Sequence, residues 1–174
     1  MRALKLSLIS AMVVGGLLVD FSSQAEDLVA LNVTGEIIAS PCQIASDSVT
    51  KSVNLGDNLQ SANLQTAPSA TPWVPFTLEL VSCPQGTRSA TVTMHGNADS
   101  VYPEDRYLNS GTANNIAVQV QSQAGDPLGD GKSLTGNIVS GAYTYNLRAR
   151  AYSQNGHVTS GTISAVVTAT FTYQ

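Results

Sequence analysis

From Val29 the odd positions read Val29, Leu31, Val33, Gly35 and Ile37, while the even ones read Ala30, Asn32, Thr34, Glu36 and Ile38. A repeat of two belongs to a β-strand with one buried face, so a long first strand is predicted here. Residues 52–55 form a second candidate. A third runs through Phe76, Leu78 and Leu80 into Cys83, where Pro84 cannot continue a ladder. Residues 90–95, 116–122 and 143–152 follow, separated by turn-rich stretches around Gly96, Gly111, residues 125–131 and Gly141. Asn155 and Gly156 form a hairpin-turn dipeptide. The last strand is the clearest: Ile163, Ala165, Val167, Ala169, Phe171 and Tyr173 alternate with mostly Ser, Thr and Val. Residues 61–71 are polar enough for a long loop. Helix-period stretches are scarce, and seven or so strands predict an all-β sandwich.

The N-terminus departs from this pattern. Arg2 and Lys5 precede an apolar run over residues 6–19 that is too short to span a bilayer comfortably. This is the form of a signal peptide, and the small residues Ser23 and Ala25 predict cleavage after Ala25. The mature chain is then expected to run from Glu26 as one soluble domain with no membrane span, since every later apolar run is broken within a few residues. Removing Arg2, Lys5 and Asp20 leaves six of the eight basic and eleven of the twelve acidic side chains, a formal charge of −5. That balance argues against nucleic acid as a partner. Charged side chains are sparse while Ser, Thr, Asn, Gln and Gly abound, as suits an extracellular β-protein. Cys42 and Cys83 are the only cysteines, and in an exported chain such a pair reads as a disulfide. Closing a loop of that length stabilises by roughly 3–4 kcal/mol.

Candidate chemistry is thin. Residues 125–133 end like a phosphate-binding loop, but Asp126 stands where the motif needs Gly, and turn and strand signals replace the required helix. Asp126 and Asp130 lack the dense oxygen spacing of a calcium loop. His95 and His157 are isolated, and with Ser40 and the scattered carboxylates they form no nucleophile elbow, paired-acid spacing or metal signature. No enzyme, cofactor or metal site is predicted. Trp73, between Pro72 and Pro75, could stack on a sugar but reads first as a packing residue. Asn32-Val33-Thr34 is formally a glycosylation sequon that a strand buried by insertion could not use.

The expected mature chain opens almost at once on an apolar alternating segment and stops one residue after another. Strand edges must be paired or covered, and one solution is intermolecular, with one subunit completing its neighbour's sheet by strand addition. At this point the residues resemble a known family, the pilins of chaperone-usher fimbriae, over residues 28–174. The alternating extension with Gly35 carries the resemblance, together with Ser40-Pro41-Cys42-Gln43-Ile44, Val53-Asn54-Leu55-Gly56 and Leu80-Val81-Ser82-Cys83-Pro84. So does the closing segment, where Gly161 stands fourteenth from the end and Tyr173 is penultimate. Gly111-Thr112-Ala113-Asn114-Asn115-Ile116 and residues 78–86 are most similar to the minor tip adaptors of type 1 fimbriae.

The resemblance implies an incomplete immunoglobulin-like sandwich whose missing seventh strand leaves a groove along the core. A periplasmic chaperone would fill the groove first. At the outer-membrane usher, the N-terminal extension of the next subunit would replace it. Residues 26–39 would be the donor-strand extension and 40–174 the pilin domain. Val29, Leu31, Val33, Gly35 and Ile37 would plug a neighbouring subunit's groove, with Gly35 in a narrow pocket. Gly161, Ile163, Val167, Phe171 and Tyr173 would form this chain's own groove and chaperone-binding strand, and the Gln174 carboxylate would anchor in the chaperone's basic cleft. The expected product is a tip adaptor exported through the periplasm to the cell-surface fimbrium, supporting adhesion without chemistry of its own. A major rod pilin is the nearer alternative. A carbohydrate-binding adhesin is the more distant one, because the extension before Cys42 is too short for a separate lectin domain.

Overall fold

Strands form where an alternating segment finds neighbours on the same chain. In the computed structural model, which describes residues 32–174, these are β1 (Gln43–Ile44), β2 (Ser69–Ala70), β3 (Val74–Val81), β4 (Ser89–Gly96), β5 (Arg106–Leu108), β6 (Ala117–Ser122), β7 (Ser133–Asn137), β8 (Tyr143–Ser153) and β9 (Val167–Tyr173). One helical turn (Ser46–Val49) and one 3-10 turn (Ser61–Leu64) lie between β1 and β2. The first sheet runs β1-β3-β8-β6-β5, with β2 also on β8, and the second runs β7-β4-β9. All pairings are antiparallel. The chain divides into a unit ending at Gly35 and one spanning Glu36 to Gln174, which holds both sheets.

The core lies between the sheets. Leu78 and Leu80 of β3, Val118 and Val120 of β6, and Tyr145, Leu147 and Ala149 of β8 face Ala90, Val92 and Met94 of β4, all buried. The two deepest phenols keep their polar ends satisfied: Tyr145 donates to the Ala90 carbonyl at 2.7 Å and Tyr107 to that of Leu128 at 2.9 Å. A smaller cluster of Leu64, Ala113, Ile116, Ala151 and Val158 closes one end. The Cys42–Cys83 disulfide ties the entry of β1 to the exit of β3.

Several sequence expectations change. The predicted leader over residues 1–25 and the positions Val29 and Leu31 lie outside the described residues. The described remainder of the predicted first strand, from Asn32 on, is in no strand, because its apolar side chains have no sheet partner: Val33 is 83% exposed and Ile37 fully so. Residues 52–55 are not a strand either; Val53 and Leu55 lean on the core, but no backbone ladder reaches them. The third strand ends at Val81, since Ser82 turns into the left-handed region at φ 50° ahead of Cys83. The last begins at Val167 rather than Ile163. Asn155 and Gly156 make no hairpin: β8 and β9 belong to different sheets, and this turn starts the crossing between them. Gly156 takes φ 66° there, and the neighbouring His157 N–H donates to the Gln65 carbonyl at 3.0 Å. The predicted loop over residues 61–71 contains the 3-10 turn and β2, and β5 and β7 were not predicted.

Candidate functional site

Along β9 the burial alternates residue by residue. Ile163, Ala165, Val167, Ala169, Phe171 and Tyr173 face the core, yet each is only half-buried, whereas Ala90, Val92 and Met94 on the adjoining β4 are sealed. The difference has one cause: among the described residues β9 is the last strand of its sheet, and none of them pairs its far edge. Facing it, Lys51 to Leu55 repeats the pattern, with Val53 and Leu55 half-buried and Ser52 and Asn54 exposed.

Between these two walls lies a groove of ≈ 880 Å³. Its floor is apolar, made by Phe76, Leu78, Met94, Val118, Val120 and Ala149 from both sheets. Its walls are the 51–59 segment on one side and residues 161–171 on the other. Lys51 is the only basic residue lining it, and it is held by Asp47 at 3.3 Å. An uncharged apolar floor flanked by an unpaired strand edge suits one occupant shape: an extended chain that adds backbone hydrogen bonds along β9 and drops alternate apolar side chains inward.

A clamp fixes the upper end of the β9 wall, where residues 161–164 precede the strand itself. Asn109 accepts from the Gly111 and Ser164 N–H groups at 2.9 and 2.8 Å and donates to the Ala113 and Thr162 carbonyls at 2.7 and 3.3 Å. Thr112 and Thr162 exchange backbone-to-hydroxyl bonds: the Thr112 N–H donates to the Thr162 hydroxyl at 3.0 Å, and the reverse bond is 2.9 Å. Residues 111–116 carry the family resemblance, but nothing in the order Gly-Thr-Ala-Asn-Asn-Ile signals this pairing with Thr162. Gly161 packs directly on this loop; a Cβ there would meet the Ala113 nitrogen and come within 2.7 Å of the Thr112 carbonyl carbon.

The predicted site residues therefore separate into two sets. Gly161, Ile163, Val167 and Phe171 line the groove together, and Tyr173 borders its end, where burial pushes its phenol above the ordinary range. The Gln174 main-chain oxygen accepts from Arg88 and Ser89 N–H groups at 2.6 and 3.0 Å, so the chain end is docked on β4. Val33 and Ile37 are exposed, and a Cβ on Gly35 would have no described atom within 4 Å. Cys42 and Cys83 are bonded as predicted. Trp73 packs beneath the Arg148 and Arg150 guanidinium groups at 4.4 and 4.2 Å. The carboxylates of the 125–133 turn have local partners: Asp126 accepts from the Ser122 hydroxyl at 2.6 Å and Asp130 from the Gly96 N–H at 3.1 Å. Among the described residues no helix is long and apolar enough to cross a membrane.

Known proteins are similar to this chain in sequence and fold. The sequence pattern of the family described as "Fimbrial protein" matches residues 31–174. Protein FimG of Escherichia coli (strain K12) is 38% identical over 152 residues, covering 86% of this chain and 87% of that protein. The S-fimbrial adhesin protein SfaS of Escherichia coli O6:K15:H31 (strain 536 / UPEC) is 36% identical over 88% of this chain and 89% of its own. Among solved structures, the P pilus rod subunit PapA superposes with a TM-score of 0.66 at 24% identity, covering 78% of this chain and all of PapA.

Proposed function

This chain belongs to the fimbrial protein family, whose members are structural pilus subunits and not enzymes, and from that premise we propose that it is a minor tip adaptor polymerised by donor-strand exchange. The reading treats residues 1–25 as a removed leader, 26–39 as the strand given to a neighbour, and 40–174 as the domain that receives one. The observation that carries it is the half-buried row on β9. Five inward positions in the groove, Ile163, Ala165, Val167, Ala169 and Phe171, face an empty lane. The extension offers five alternating positions, Val29, Leu31, Val33, Gly35 and Ile37. At a strand rise of about 3.3 Å per residue the two rows have the same repeat. Burying the four side chains among those five is worth about 1.5–3 kcal/mol each before ordering costs, and the unpaired β9 edge gains a ladder.

In the assembly sequence this implies, a periplasmic chaperone holds the groove during export, and at the outer-membrane usher the incoming subunit's extension displaces it. Gln174 directly follows β9, and a chaperone strand would run along the opposite, open edge of that strand. The adaptor assignment within the family rests on the similarity to FimG and on residues 78–86 and 111–116. The fibre position is the tip end of the rod, with adhesion served through the fibre.

The test is in vitro strand exchange. A synthetic peptide spanning residues 27–39 is mixed with each chaperone-bound subunit of the same fibre, and chaperone release is followed by native mass spectrometry. Release from one subunit, abolished when the peptide carries Gly35→Leu, is the expected result and names the neighbour. No release from any subunit, with the free chain folded and monomeric, would overturn the proposal.

A further inference from the structure

On the face of the first sheet turned away from the core, Arg148, Arg150 and Tyr152 alternate with the buried Leu147, Ala149 and Ala151 of β8. Three of the six basic side chains in residues 32–174 gather here, since Arg106 of β5 joins Arg148 and Arg150. They interleave with aromatic rings. Arg148 and Arg150 lie over Trp73, Arg150 and Arg106 lie 5.3 and 4.0 Å from the Tyr152 centroid, and Arg106 also covers Tyr102 at 4.1 Å.

The paired side chains of β6 on the same face fix the guanidinium groups from the side. Arg150 donates through Nε to the Gln119 side-chain oxygen at 2.7 Å, and Arg148 donates to that of Gln121 at 3.0 Å. Both glutamine amides in turn donate to Asp105, whose carboxylate also lies 3.5 Å from Arg106 Nε. Gln119 is 5% exposed, so this support is a built layer. One carboxylate thus answers three guanidinium charges on a chain that is otherwise acidic. Burial lowers the pKa of Arg150 below its ordinary value; the charges of Arg148 and Arg106 act in the same direction, and Tyr152 and Asp105 act against it. Each guanidinium has five N–H donors. Arg148 and Arg150 each make one side-chain hydrogen bond, and the Arg148 Nε is buried without a partner, so the donors left for a ligand are the remaining terminal N–H groups.

We propose that this guanidinium–aromatic face, centred on Arg148 and Arg150, is a binding site for the carboxylate or sulfate groups of an acidic saccharide. Guanidinium forks match planar oxyanions by paired hydrogen bonds, and stacking on Trp73 removes most of the side-chain freedom that binding would otherwise cost. A saccharide fits better than a protein partner. The partly exposed groups on β8 and β6 here are guanidinium, amide and ring edges, and of the large exposed aliphatic side chains only Leu108 on β5 and Val101, next to Tyr102 in sequence, adjoin residues of this face. A protein interface would want an apolar centre. The proposal is independent of strand exchange, because this face lies on the opposite side of the sheet from the groove.

The test measures binding of the folded chain from Glu26 to immobilised heparin, polygalacturonate, neutral dextran and poly-glutamate by interferometry, in low and physiological salt. Retention on heparin, polygalacturonate or both, with none on dextran, is expected; which acidic polymer binds distinguishes sulfate from carboxylate recognition. Arg148→Gln with Arg150→Gln should weaken that binding by about tenfold or more, while Lys132→Gln, away from the face, changes it less than about twofold. If the double variant does not fold, Arg150→Lys keeps the charge but loses the fork and should still weaken binding several-fold. No retention on either acidic polysaccharide, equal retention on poly-glutamate, or binding untouched by the arginine variants would overturn the proposal.

Discussion

Asn109→Ala tests how far the groove wall ahead of β9 depends on side chains beyond its two backbone bonds, Ser110 N–H to the Ser164 carbonyl at 2.8 Å and Ala113 N–H to that of Thr162 at 3.1 Å. Asn109 supplies four hydrogen bonds: two accepted from Gly111 and Ser164, two given to Ala113 and Thr162. Each bond of this kind contributes about 0.5–1.5 kcal/mol net. The site is partly exposed, so water recovers some of the loss, and the expected cost is about 2 kcal/mol, read as a lowered urea midpoint at unchanged slope. Ser164 and Thr162 form the groove wall at this end, so a donor peptide should also dissociate faster from the variant. Thr162→Val removes the hydroxyl that accepts from Thr112 and leaves the Asn109 bonds in place. Because both residues hold one loop to one segment, the double variant should cost measurably less than the two single losses added together. A cost below about 0.5 kcal/mol for Asn109→Ala, together with additivity in the cycle, would refute the clamp.

Gly161→Ala places a Cβ against the Ala113 nitrogen and the Thr112 carbonyl. Backbone cannot step aside cheaply, so a loss of about 1–3 kcal/mol is expected in the same urea titration, and an unchanged midpoint would contradict the packing. For pH, burial holds the Tyr145 and Tyr107 phenols protonated well above their ordinary value of 10. Above pH 10 the unfolded chain therefore releases protons that the folded chain keeps, so stability is intact below pH 10 and falls by up to about 1.4 kcal/mol per pH unit for each buried phenol. Tyr145→Phe should remove one tyrosine's share of that alkaline slope, at a cost of about 1 kcal/mol at neutral pH for the lost bond to Ala90; a slope equal to that of the unmodified chain would refute the assignment.

The strands legible in the sequence are those with one face against the core and the other in water. In β4, β8 and β9 the alternation of side chains and the alternation of burial coincide. β5 and β7 escaped because their inward rows are nearly empty. β5 sends only Tyr107 inward, and β7 presents Leu134 and then Gly136, whose missing side chain makes room for the Tyr143 ring. Periodicity cannot register a position filled by another strand's side chain. The 52–55 segment failed in the opposite sense: its alternation is real and Val53 and Leu55 do face inward, but a strand is defined by its ladder, and the lane beside it is vacant. The Asn155 and Gly156 turn shows a third limit, since a dipeptide fixes the local reversal and not which sheet receives the chain afterwards. For the candidate site, the β9 row was readable from alternation alone. The Asn109 clamp and the arginine face were not, because both depend on residues separated by dozens of positions meeting across strands.

The groove and the marginal burial beside it have the same physical origin. A sandwich that sealed β9 would need one more strand of its own, which would remove the lane and with it the proposed strand-exchange joint. Leaving that strand out keeps the row Ile163 to Phe171 half in water, at the cost of the hydrophobic stabilisation those side chains would otherwise give. The remaining structure offsets this deficit by covalent and polar means near both ends of the exposed wall. The disulfide and the Thr87 hydroxyl, which donates to the Ser40 carbonyl at 3.0 Å, secure the end where Gln174 docks on β4, and the Asn109 clamp secures the other. Between these anchors β9 is held on one side only, by its ladder with β4 from Ala90 to Gly96. Under the proposed strand exchange, an apolar, unpaired edge already anchored at both ends would accept a strand with little rearrangement, leaving most of the gain from burying the incoming side chains as binding free energy.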